Sequence, residues 1–142
     1  MKKKEWIALI IIAVLSVSAI VLQRFIKRNT DTEVEIPPYA TVAHPQGDPI
    51  GEWITVVHRN RIILYFDSGV DDFYEVEGNV GHMTIEVKDN MWHVHDVDCY
   101  DYTCKNMGWM SSDSLLPIIC LPNDLVIIDE ATALNMVSEG AQ

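Results

Sequence analysis

Basic residues are scarce through most of this 142-residue chain. Of its ten Lys and Arg, six lie within residues 1–28, where Glu5 is the only acid. Residues 29–142 are left with four basic and twenty acidic groups, a net of −16. Phosphate binding needs a cationic footprint, so nucleic acid is excluded as a partner of that region. Anionic lipid head groups would be repelled for the same reason. Cysteine is nearly lacking as well. Three residues are too few for an iron–sulfur cluster held by four thiolates, and none follows the N-terminal apolar run closely enough to accept a lipid. There is no phosphate-cradling glycine loop, no dinucleotide fingerprint and no Ser/His/Asp arrangement. The acidic run 67–77 contains Asp71 and Asp72 but lacks the alternating oxygen ligands of a calcium loop, so it reads as a solvated face. Internal repeats and low-complexity tracts are also missing. These gaps leave no catalytic residue to name, and a non-enzymatic chain is expected. The apolar fraction of 49% and charged fraction of 22% are those of a chain that folds.

What is present begins with "WIALIIIAVLSVSAIVL", residues 6–22, an uncharged run of 17. As a helix it is about 25 Å long at ~1.5 Å per residue. That is short against a hydrocarbon core of ~30 Å but within the spanning range. Arg24 and Lys27 extend it by snorkelling to the far interface. Three lysines precede it and Arg24, Lys27 and Arg28 follow, a balance that the free amino terminus tips toward an N-terminus inside and residues 29–142 outside. The rival is a cleaved signal peptide, with Ser16-Val17-Ser18 before Ala19 as a small-x-small site. The apolar run continues past that site, which favours the uncleaved anchor. The expected organisation is a cytoplasmic basic N-terminus (1–5), a transmembrane anchor or signal peptide (6–24), and a stalk stiffened by Pro37-Pro38 (25–39). A domain (40–130) and a C-terminal tail (131–142) follow, the tail as a frayed helix or disorder. The chain is thus expected in the cell membrane as a single-pass protein with its C-terminal domain extracytoplasmic.

From residue 40 the pattern is β. "EWITVV" (52–57) and "RIILYF" (61–66) are rich in β-branched and aromatic residues, with His58–Asn60 as a short turn. "FYEVE" (73–77) alternates. "HMTIEV" (82–87) puts Met83, Ile85 and Val87 on one face and His82, Thr84 and Glu86 on the other. Asp89-Asn90 has the residues of a tight hairpin turn, and "MWHVHDV" (91–97) returns with Trp92 and Val94 on one face. "IICL" (118–121) and "LVIID" (125–129) close the set around Pro122-Asn123. Short strands at this spacing predict an all-β domain, a small barrel or sandwich, behind a single N-terminal transmembrane helix.

One constellation stands out: Asp98-Cys99, Cys104, Gly108-Trp109, then Cys120-Leu121-Pro122-Asn123. Here the chain resembles the extracytoplasmic proteins built on the NusG domain II fold, whose hallmark is these linked motifs in this order. The resemblance covers roughly residues 40–130. It implies a small barrel-like β domain, commonly on an N-terminal membrane anchor. The chain departs from the pattern with Tyr100 where a proline is usual and Leu115-Leu116-Pro117 where a polar turn is usual. Shared fold does not carry function, so the transcription factors that contain such a domain as an insert imply no transcriptional role. Some relatives are associated with flavin-based electron-transfer systems of the cell surface.

Outside the membrane, thiols tend to oxidise, so Cys99, Cys104 and Cys120 are disulfide candidates: one bond and one leftover. Cys99–Cys104 would close a small loop; Cys104–Cys120 would close a longer one and stabilise more. A catalytic dithiol is disfavoured. The C-x-x-C spacing at a helix start is absent, and Asp96, Asp98 and Asp101 would raise a thiolate pKa. His93 and His95, two apart, share one face of a strand. With the cysteines they match no closed four-ligand spacing, so they read as solvent-facing, opposite Trp92 and Val94, and neither metal nor cofactor is expected. Trp92 and Trp109 read as packing residues, Trp109 burying its indole against the barrel. The sequence thus predicts a binding or accessory domain of a membrane or envelope complex, with a protein partner it does not name. The alternative is a redox accessory component of a cell-surface flavin-based electron-transfer system.

Overall fold

The computed structural model describes residues 36–140 together with Ser16 and Ser18. The apolar run 6–22, its proposed cleavage site and most of the stalk therefore lie outside the described residues, Ser16 and Ser18 excepted. Among the described residues no helix is long and apolar enough to cross a membrane.

Within residues 36–140, seven strands and two helices follow in order: β1 Trp53–His58, β2 Arg61–Asp67, β3 Asp72–Glu77, β4 His82–Lys88, β5 Met91–Val97, α1 Thr103–Asn106, β6 Ile118–Cys120, β7 Leu125–Asp129 and α2 Glu130–Glu139. β5 and β7 coincide with the apolar runs expected at 91–97 and 125–129. The strands form two sheets, ordered β2-β1-β7-β6 and β3-β4-β5, and every strand pair is antiparallel. The fold is therefore mostly β and sandwich-like, with two sheets rather than one closed barrel.

Two hairpins are set by their turns. Arg59 and Asn60 have φ of 48° and 64°, and Asp89 and Asn90 have 52° and 59°. Two consecutive left-handed residues match the right-handed twist of the flanking strands, and Asn and Asp tolerate that region better than most side chains.

The main core lies between the sheets. It joins Ile54, Val56 and Phe66 of the first sheet to Met83, Ile85, Val87, Trp92 and Val94 of the second. The first sheet is covered on its other face too, where Ala40, Val57, Ile62, Tyr65, Ala133 and Val137 form a second cluster. That double burial explains why β1 reads as nearly continuous apolar sequence while β4 alternates.

Two register shifts adjust the faces. Val56 pairs with Leu64 but Val57 with Ile62, so Ile63 is the extra residue in β2. Ile85 pairs with Val94 but Thr84 with Asp96, so His95 is the extra residue in β5. The second bulge is why Trp92, Val94 and Val97 are all buried although Val97 breaks the period of two.

Of the two expectations for the C-terminal tail, helix and disorder, residues 130–139 follow the helix. They form helix α2, capped by Asp129, whose side chain accepts from Thr132 N at 2.9 Å. Ala133 and Val137, one turn apart, are buried in the second cluster. A ten-residue helix is marginal by itself and draws its stability from tertiary packing, a contribution that local pattern does not contain. At the other end, Ala40 bridges Ile62 in parallel, with Thr41 N donating to Ile62 O at 2.8 Å and Ile62 N to Tyr39 O at 2.9 Å.

Candidate functional site

Asp98 and Asn123 of the motif meet at one end of the sandwich, where three turns come together. Asp98 follows β5 and pairs both ways with His82: its N–H donates to His82 O at 2.8 Å, and its carboxylate accepts from His82 N at 3.1 Å. Asn123, in the β6–β7 turn, is fully buried. Its Oδ1 accepts from Val80 N at 2.9 Å and Gly81 N at 3.0 Å. Its Nδ2 donates to Asp98 O at 3.2 Å, and its own carbonyl accepts from Asn79 N at 3.1 Å. The approach is close enough that a Cβ on Gly78 would stand 2.5 Å from Asn123 Cβ, and one on Gly81 2.5 Å from Asp98 Cβ. Asp98 and Asn123 are thus fasteners of the β3–β4 turn.

Cys99, Cys104 and Cys120 are all brought together. Their sulfurs lie within 4.8 Å of one another, all three side chains are buried in the main core, and all three are thiols. Cys99 Sγ donates to Asp101 Oδ1 at 3.6 Å. Cys104, on α1, faces both other sulfurs. Burial pushes its thiol up to about 12, reinforced by hydrogen bonding to Cys120. Burial also raises Cys120. A thiol with a raised pKa holds little of the nucleophilic thiolate at neutral pH. The expected pairings therefore share one cluster in which Cys104 reaches either partner.

The segment between β5 and β6 is ordered by two devices. α1 plugs Cys104 into the core, and Met110 pairs with Trp92 through N–H···O bonds of 2.9 and 2.7 Å. Gly108, at φ 78°, supplies the left-handed turn between them. Met110 packs on the core, so its neighbour Trp109 faces outward by the strand alternation. The expectation that Trp109 buries its indole is therefore corrected. Trp109 is 43% exposed and lies against the His93 ring, centroids 3.9 Å apart.

A separate part of the surface, around residues 115–121, is apolar. Leu115 is 97% and Leu121 81% exposed, with Leu116 and Ile119 also open to solvent. A groove of about 360 Å³ runs between Met107, Thr103 and Asp101 on one side and Leu116, Pro117, Ile119 and Leu121 on the other. Leu121 of the motif thus faces solvent beside this groove, whereas Pro122 is half-buried.

His93 and His95 do not join the cysteines. Both face Glu86 of β4, whose Oε2 accepts from His93 Nε2 at 2.8 Å and His95 Nδ1 at 3.2 Å. Those two bonds hold the Glu86 carboxyl below the usual range, His93 contributing most. Trp92 and Val94 are buried on the opposite face. Sequence reasoning missed Glu86. The signal was available: a two-residue turn at Asp89-Asn90 sets Glu86 opposite His93 by counting back along the hairpin.

The fold and its buried fasteners define a small antiparallel β-sandwich domain whose motif residues serve the junction of its turns and a three-thiol cluster. The chain belongs to the NusG domain II family, whose model matches residues 7–132. It is similar to the crystal structure of a DUF1312 family protein from Enterococcus faecalis V583, at 30% identity, TM-score 0.50, covering 55% of this chain and 94% of that one. It is also similar to a DUF1312 family protein from Ruminococcus gnavus ATCC 29149, at 21% identity, TM-score 0.47, covering 54% and 94%. A third similar structure is the Lin0431 protein from Listeria innocua, at 16% identity, TM-score 0.48, covering 54% and 91%. No curated protein matches the chain.

Proposed function

We propose that this chain is a membrane-anchored, extracytoplasmic accessory domain that acts by binding a protein partner, not by catalysis. The observation that carries the reading is the apolar groove between α1 and β6. Leu116, Ile119 and Leu121 stand exposed around it, and contiguous exposed apolar surface on a folded domain marks a contact site. Asp101 lines the groove, and residues 29–142 are strongly acidic, so the partner segment is apolar with flanking Lys or Arg. The run 6–22 supplies the anchor. In the oxidising compartment this location implies, Cys104 joins Cys99 or Cys120 in a disulfide, two thiols giving up two electrons and two protons to a disulfide oxidant.

Site-specific photo-crosslinking in cells tests the binding role. A photoreactive side chain at Leu121 should yield one discrete adduct, lost when Leu116→Asp is added with the chain's abundance unchanged. A diffuse smear, or an adduct indifferent to Leu116→Asp, would remove the groove as the binding surface. The second reading, a redox accessory component, draws on the proximity of the three thiols. Their burial and the raised Cys104 pKa weigh against it. A visible chromophore in the purified chain would favour it.

A further inference from the structure

We propose that Glu86, His93 and His95 form a binding site for a divalent transition-metal ion of the zinc and copper type, open to solvent at its remaining coordination positions. The three donors come from two adjacent strands of one hairpin. Glu86 stands directly opposite His93, and His95 follows two residues on. One carboxylate oxygen and one nitrogen from each ring lie within 4.8 Å of one another. Metal–nitrogen and metal–oxygen bonds of ~2.0–2.2 Å in a tetrahedral arrangement set neighbouring ligand atoms about 3.3–3.5 Å apart. The Glu86 oxygen already lies 2.8 Å and 3.2 Å from the two nitrogens. A small retreat of a flexible carboxylate therefore makes room for the ion. Two imidazoles and a carboxylate suit zinc or copper rather than magnesium or calcium.

The rings are held from outside. Trp109 lies against His93 with centroids 3.9 Å apart, and Phe73 meets His95 edge-on at 5.3 Å. Such orientation of ligands limits the freedom lost on binding. The net charge of −16 over residues 29–142 favours a cation over an anion.

The backbone adds an independent argument. His95 is the extra residue of the β5 bulge. Without it, Trp92, Val94 and Val97 would alternate regularly and still point into the core. Packing alone gives no reason for the insertion, and bulges recur where a side chain is re-aimed for a site.

Zinc titration of the metal-stripped full chain by calorimetry tests the site. One ion per chain is expected. Glu86→Gln, His93→Gln and His95→Gln should each weaken binding by at least about tenfold, while Glu139→Gln, at the end of helix α2, retains it. A chain lacking His95 should keep its β-sheet circular dichroism and lose zinc. Cobalt bound in place of zinc should show no thiolate charge-transfer absorption. Absence of zinc uptake overturns the proposal. So does uptake that survives both Glu86→Gln and His93→Gln, or that disappears with Cys104→Ser.

Discussion

Asn123 shows how one buried amide fastens separate segments. It serves Val80, Gly81 and Asp98 with three hydrogen bonds and is fully buried. Asn123→Ala strands two backbone N–H groups and one carbonyl, each costing ~1–3 kcal/mol when left unpaired and dry. Some of that is recovered where water enters, so a loss of about 3 kcal/mol is expected. Urea denaturation checks it: the midpoint should fall with the slope unchanged. A loss below about 1 kcal/mol, the level of ordinary substitutions, would show that the junction is held by other contacts. The motif pointed to Asn123 from sequence, but not to its role. That role depends on the β3–β4 turn, more than forty residues earlier in the chain.

At the scale of elements, the long connection between β5 and β6 carries the most information. Its twenty residues from Asp98 to Pro117 would be costly to order without internal support. α1, the Met110–Trp92 pairing and the cysteine cluster provide that support. If Cys104 forms the proposed disulfide, Cys104→Ser should lower the melting temperature under oxidising conditions. Reductant should lower the wild type similarly and leave the variant nearly unchanged. A Cys104–Cys120 bond would contribute ~3 kcal/mol in the chain-entropy model, a Cys99–Cys104 bond less. Mass spectrometry of alkylated, unreduced protein decides the matter, since three free thiols would sink the staple. The strands were legible because their periodicity is local. The bulges at Ile63 and His95 were legible only as breaks in that periodicity, since a bulge is defined by its partner strand.

For the whole molecule, the proposed location rests on the charge asymmetry and the apolar run. With residues 6–22 as anchor, protease added to intact cells stripped of any wall should remove the acidic domain. Full protection would place the domain inside. A purified chain beginning near Ala19 would instead convert the anchor into a signal peptide.

The sequence by itself determined the strand set, the two Asn-containing hairpin turns, the family motif and the polarity of charge, because each is written in neighbouring residues. Tertiary structure decided the rest. It gathered Cys99, Cys104 and Cys120 from a loop, a helix and a strand into one buried cluster. It turned Trp109 outward by pairing Met110 with Trp92, and it gave the weakly patterned C-terminal residues a helix to form by offering Val57, Ile62 and Tyr65 to cover. Burial and cross-strand contact belong to pairs of segments, so no local reading contains them. Only the register set by the Asp89-Asn90 turn comes close, and it is what places Glu86 against His93.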